Sequence, residues 1–170
     1  MTIASLLVAL SLLPTWKEDR PVTPEKERQL AEIAAAVHRA AKGDRDVAAL
    51  TLSLGWHESA FSMRIGRSEC HGRECDPRRL RDGTLYYRAR GFWQLHQNGM
   101  SNAAWAALLG PGSIDAQATE AVRRVRSAFA TCRSSGPLGA VRAFAGNGCS
   151  SPLKGEGARL ATFESIRRRL

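Results

Sequence analysis

Val47-Ala48-Ala49-Leu50-Thr51-Leu52-Ser53-Leu54, followed after Gly55 by Trp56-His57-Glu58-Ser59-Ala60-Phe61, is the stretch on which the reading of this chain turns. An apolar run preceded by Asp44 predicts a helix capped by that aspartate, with Glu58 on or just past its last turn. Unpaired carbonyls at a helix C-terminus put negative charge beside a carboxylate, and the apolar Trp56 and Phe61 add desolvation; both oppose ionisation. A carboxyl group held neutral can donate a proton near neutral pH, so Glu58 is the candidate general acid. A solvated glutamate at a frayed helix end is the other reading of the same residues.

Working outward, Thr23-Pro24-Glu25-Lys26-Glu27 predicts a helix start, with Thr23 as cap and Pro24 at the first position, and Gly43 marks its stop. Leu30, Ile33, Ala34, Val37 and Ala41 share its apolar face. From Ser62 to Arg90 the periodicity fails among glycines, charges and Pro77, which predicts a long loop or a small β element, with Thr84 to Arg88 as its strand. Helices are expected again near Ala103 to Leu109, along a longer segment through Ala118, Val122, Val125 and Cys132, from Pro137 to about Gly146, and from about Glu156 to the end with Leu160, Phe163 and Ile166 inward. The expected fold is mainly α, in an α+β arrangement of about seven helices around one core, with the small β element or long loop after the helix that carries Glu58.

The chain of 170 residues suits one domain, and its 25 Lys and Arg against 16 Asp and Glu give a formal charge of +9. Nucleic acid, an anionic membrane face and an acidic cell wall are all partners that such a field attracts. No finger spacing, aromatic sheet signature or long basic arm is present, so no nucleic-acid partner is expected. The opening residues 1–13 are too short to be a transmembrane anchor. They fit a signal-like h-region without a basic start, and equally a first helix with Ile3, Leu6, Leu7, Leu10 and Leu13 on one face. Four cysteines invite two disulfides, Cys70 to Cys75 and Cys132 to Cys149, in an oxidising compartment; a zinc site at Cys70, His71 and Cys75, or free thiols, are the rivals.

Three stretches in order, Glu58-Ser59-Ala60-Phe61, Ala89-Arg90-Gly91-Phe92-Trp93-Gln94-Leu95 and Val141-Arg142-Ala143-Phe144-Ala145-Gly146-Asn147, resemble the soluble lytic transglycosylase family of lysozyme-like enzymes. That family carries a catalytic Glu-Ser, a Gly-x-x-Gln loop and an Ala-Tyr-Asn-Ala-Gly helix end. The chain departs from it with Phe144 in place of Tyr, Ala145 in place of Asn, and a longer interval from Glu58 to Gly91. The residues divide the chain into an N-terminal apolar segment, signal-like or a first helix, with a linker over 1–22, and a single domain over 23–170 that the resemblance implies is a lysozyme-like catalytic one. It also implies that Glu58 acts first as acid and then as base, cutting the glycan strands of peptidoglycan without water to leave 1,6-anhydroMurNAc ends, with no cofactor and no metal. Such an enzyme is exported, or delivered to the wall by a phage.

Glycoside chemistry assigns the other roles. Gln94 can hydrogen-bond an N-acetyl group or the Glu58 carboxyl, Gly91 lets backbone approach a sugar, and Ser59 can orient Glu58. Trp93 and Tyr87 can stack on sugar faces, although plain core packing explains Trp93 equally well. His96, Phe144 and Asn147 complete the candidate substrate-binding set. A hydrolysing lysozyme would need a second carboxylate, for which Glu69, Glu74, Asp76 and Asp82 are the candidates. An inactive module that only grips glycan or another polyanion is the reading from a different class.

Overall fold

The computed structural model describes residues 1–14, 19–66, 76–79, 81–83, 85–110 and 112–170. It is mainly helical. In chain order come α1 (Ile3–Ser11), α2 (Pro24–Ala41), α3 (Arg45–Ser59), the single turn α4 (Met63–Gly66), β1 (Pro77–Arg79), β2 (Leu85–Tyr87), α5 (Asn102–Ala106), α6 (Ser113–Thr131), α7 (Gly136–Phe144) and α8 (Glu156–Arg167). The turn α4 falls where only irregular chain was expected, and brings the described helices to one more than the sequence suggested. β1 and β2 pair antiparallel, Pro77 opposite Tyr87 and Arg79 opposite Leu85, so the small β element is a hairpin.

Helix α3 is the axis of the molecule. Every residue from Val47 to Gly55 is buried, the pattern of a helix with neighbours all round rather than on one face. It packs against α2, α6, α7 and α8. Its two hydroxyls are satisfied inside the core: Thr51 Oγ1 donates to Val47 O at 2.7 Å, and Ser53 Oγ to Arg159 O on α8 at 2.7 Å. Gly55 is required by close approach, because a Cβ there would lie 2.6 Å from the Phe61 ring and 2.7 Å from Trp93 Nε1. At the start, Asp44 accepts from Val47 N at 3.0 Å, the expected cap.

The other helices follow their local signals. Thr23 caps α2, and all five expected core residues of that helix are buried. On α6 the apolar stripe from Ala118 to Ala128 is buried, with Gln117 and Glu120 buried beside it. α1 packs on α2 and α8 as part of the same core, through Leu6, Ala9 and Leu10. Its outer face leaves Ile3 exposed, a correction to the expected stripe, and no helix of the described residues is long and apolar enough to cross a membrane.

A disulfide joins Cys132, at the end of α6, to Cys149, in the loop after α7. The expected Cys70 to Cys75 pair and the rival zinc site lie outside the described residues, as do Glu69 and Glu74.

Candidate active site

Glu58 stands in the last turn of α3, where Ala60 takes a left-handed conformation (φ 47°) and closes the helix by donating its N–H to Trp56 O. Phe61 follows at φ 52°, also left-handed. Two such residues in succession, neither of them glycine, need an outside anchor. It comes from α2, where the buried Lys26 ammonium and Gln29 Nε2, the latter at 2.7 Å, both donate to Phe61 O. Lys26 also meets Asp19 at 2.8 Å, and burial holds its pKa below the ordinary lysine value against the pull of that aspartate. The turn that aims Glu58 is therefore braced from below.

Ser59 belongs to this brace and not to the groove. It is fully buried, its Oγ donates to Gly55 O and accepts from Phe61 N, both at 3.1 Å, so the hydroxyl is spent on ending the helix instead of orienting Glu58. The expected apolar walls also face elsewhere. Phe61 packs in the core against Phe92 and Trp93, and Trp56 turns its indole N–H to Pro14 O at 2.8 Å. What meets Glu58 is a cation: Arg159 of α8 donates from Nη2 to Glu58 Oε1 at 3.1 Å, with 18% of the Arg159 side chain and 27% of the Glu58 side chain exposed. Nothing in the motifs pointed to Arg159.

The loop from Arg90 to Leu95 forms the facing wall. Arg90 and Leu95 exchange backbone hydrogen bonds at 2.9 Å, and the four residues between them turn the chain through left-handed conformations at Gly91 (φ 68°) and Gln94 (φ 46°). Gly91 is needed for packing: a Cβ there would sit 2.2 Å from Gln117 Oε1 of α6, so no sugar approaches its backbone on that side. Gln117 is the peg that fixes the loop, accepting from Phe92 N at 2.9 Å and sharing its two Nε2 hydrogens among Gly66 O, Leu108 O and Ser113 Oγ. Trp93 is buried, with its Nε1 donating to Thr51 O at 2.7 Å, so it is core packing at the groove floor and not a stacking platform. Gln94 folds its amide back, Nε2 donating to Gly91 O at 3.0 Å, and leaves Oε1 buried with no partner.

Glu58, Trp93, Gln94, His96, Phe144 and Arg159 thus border one cavity of about 330 Å³. Arg159 Nε is a second buried polar atom there without a partner. Both atoms are shut off from solvent, and each unpaired buried group costs stability until it is bonded. His96 is held below the ordinary imidazole pKa chiefly by burial, with Asp76 opposing, Arg88 and Arg124 reinforcing and Glu58 opposing. It is a neutral groove residue at pH 7. Asn147 lies in the adjoining cavity, its Nδ2 near Pro152 O at 3.4 Å, while Tyr87 stays on the hairpin, outside this wall. Asp76 answers to Arg78 and Arg88 and does not border the cavity.

The wall opposite the Gln94 loop is tied twice. The disulfide anchors the loop after α7, and Arg142 grips Glu156 with two bonds of 2.7 Å while Glu156 also accepts from Leu153 N at 2.8 Å. That grip, with the Leu153 bond, drives the Glu156 carboxyl from 4.5 down to about 2. No protein-family model, no curated protein and no solved structure matches this chain.

Proposed function

We propose that this protein cleaves the β-1,4 bond between MurNAc and GlcNAc in peptidoglycan, on a fold of the lysozyme-like kind, with Glu58 as general acid and then general base. The observation that carries the reading is the company Glu58 keeps: one groove is bordered by its carboxyl group, the Gln94 amide and the Arg159 guanidinium. An N-acetyl amide has one donor and one acceptor to offer such a pair. The three-motif resemblance to lytic transglycosylases supports the same substrate.

Glu58 gives its proton to the glycosidic oxygen as the bond to the MurNAc C1 breaks and positive charge develops on that ring. The carboxylate left behind then takes the proton of the sugar's own 6-hydroxyl, whose oxygen closes on C1 to form the 1,6-anhydro ring. Among the described residues Glu58 is the sole carboxylate bordering the groove, which favours this route over a hydrolysis that would call on a second acid. In the free protein Glu58 is ion-paired, so substrate entry must draw the Arg159 guanidinium toward its own acceptors before Glu58 can carry the proton.

Purified peptidoglycan incubated with the protein tests the reading by mass spectrometry. Anhydro-muropeptides are the expected products; reducing ends would make it a hydrolase. The Glu58 ion pair favours a second reading, a module that binds glycan without cutting it, because a carboxylate neutralised by a guanidinium is also what a silent site holds. Binding with no products would establish that one. Glu58→Gln should keep the fold and glycan binding yet lose about a hundredfold to ten-thousandfold of the activity, the usual scale for a general acid.

A further inference from the structure

Beyond Phe144 and Gly146 the groove continues. A second cavity of about 400 Å³ shares Asn98, Arg124, Phe144 and Gly146 with the first and adds Arg123, Ser127 and Thr131 from the outer face of α6. Its charge is lopsided. Arg123 and Arg124 both lean on one carboxylate, Glu120, which accepts from Arg123 Nε, Arg123 Nη2 and Arg124 Nε at 2.7 Å each. Glu120 is only 8% exposed, whereas the Arg123 side chain is 60% exposed, so the negative charge lies behind the positive face. Glu120 is held below the ordinary carboxylate pKa by these arginines although burial acts against them. Neither Arg123 Nη1 nor Arg124 Nη1 donates to a described residue.

We propose that this second cavity is a subsite for a carboxylate-bearing peptide branch of the glycan, with Arg123 as its principal contact. This rests on the glycan-cleavage reading above. A continued sugar chain would want an apolar face to stack on, and the one aromatic bordering the cavity, Phe144, sits at the junction with the first. The remaining lining offers hydroxyls at Ser127 and Thr131 and amides at Asn98 and Asn147, groups that pair with the N–H and C=O of a peptide. A guanidinium whose Nη1 is not spent on a described residue, with Glu120 behind it the one acid that meets it among those residues, selects a carboxylate among the branch's groups.

Binding to the Glu58→Gln protein, which leaves its ligands intact, tests the assignment with three glycans of equal length: one with acidic peptide stems, one with those carboxylates amidated, and one stripped of peptide. The acidic form should bind about fivefold more tightly than the stripped form, the scale of a partly exposed ion pair. Amidation should abolish the gain, salt should shrink it, and Arg123→Gln should remove it without changing affinity for the stripped glycan, while Arg123→Lys keeps part of it. Equal affinity for all three glycans, or a preference that survives Arg123→Gln, overturns the subsite. A parallel digest with the unaltered protein separates the two failures. Equal affinity together with cleavage of stripped and acidic glycan alike leaves the cleavage reading standing and removes the subsite, whereas neither binding nor cleavage of any of them removes both.

Discussion

Glu58 and Arg159 are 101 residues apart in sequence and 3.1 Å apart in space. The guanidinium has two tasks that a point charge cannot share: Nη2 fixes one carboxylate oxygen while Nη1 reaches Lys154 O at 3.3 Å. Arg159→Gln should therefore lower turnover by about tenfold, the size of one charge-assisted hydrogen bond, and Arg159→Lys should recover only part of it. Steady-state kinetics on soluble glycan fragments checks this, and unchanged turnover in Arg159→Gln would reduce the pair to a surface tie. The difference in legibility between the two residues is physical. Glu58 could be found because its place depends on a local helix end, whereas Arg159 reaches it only through the packing of α8 on α3, which no spacing encodes.

The same division runs through the elements. Helices announced by a cap and a stripe appear where expected, because Thr23, Asp44 and the apolar faces act within a few residues of themselves. Roles inside the site were harder to read. Ser59 and Trp93 bear the letters of sugar-binding groups, yet the former's hydroxyl is used by the helix end and the latter's N–H by Thr51 O. The Gly91 to Gln94 turn is the instructive case, since its glycine answers to Gln117 and its glutamine to the groove. Gly91→Ala should force Gln117 off its four partners and strain a left-handed backbone, costing roughly 2 to 4 kcal/mol, more than the ordinary glycine penalty alone. Urea unfolding measures that loss. Activity should fall with it, because the displaced amide no longer fixes Phe92 N and the loop carrying Gln94.

At the scale of the whole molecule, the wall formed by Phe144, Ala145 and Gly146 depends on two ties of different chemistry, and pH can address one without the other. A carboxyl pushed down to about 2 binds fewer protons folded than unfolded, so the Arg142 to Glu156 pair contributes stability that is present above about pH 4.5 and lost as pH falls toward about 2. His57 and His96, both held below 6.5 chiefly by burial, add an earlier loss in the same direction as pH drops below that value. Thermal melts across pH should show both steps, and Glu156→Gln should shrink the lower one without touching the upper, leaving in it the part that Glu120 adds. The disulfide is indifferent to pH. With a sequence separation of 17 between Cys132 and Cys149 it is worth about 3 kcal/mol in the chain-entropy model, so Cys132→Ala with Cys149→Ala should lower the melting temperature by roughly 6 to 12 °C in a domain of this size. Because Arg142 also reaches Cys149 O at 3.4 Å, the two ties hold one loop, and their losses should not add. Either change alone should leave cleavage near normal at pH 7, and the combination should reduce it by more than the product of the two. A double-mutant cycle on turnover and melting temperature measures that coupling; strictly additive effects would mean that the loop is held elsewhere and that the two ties act independently.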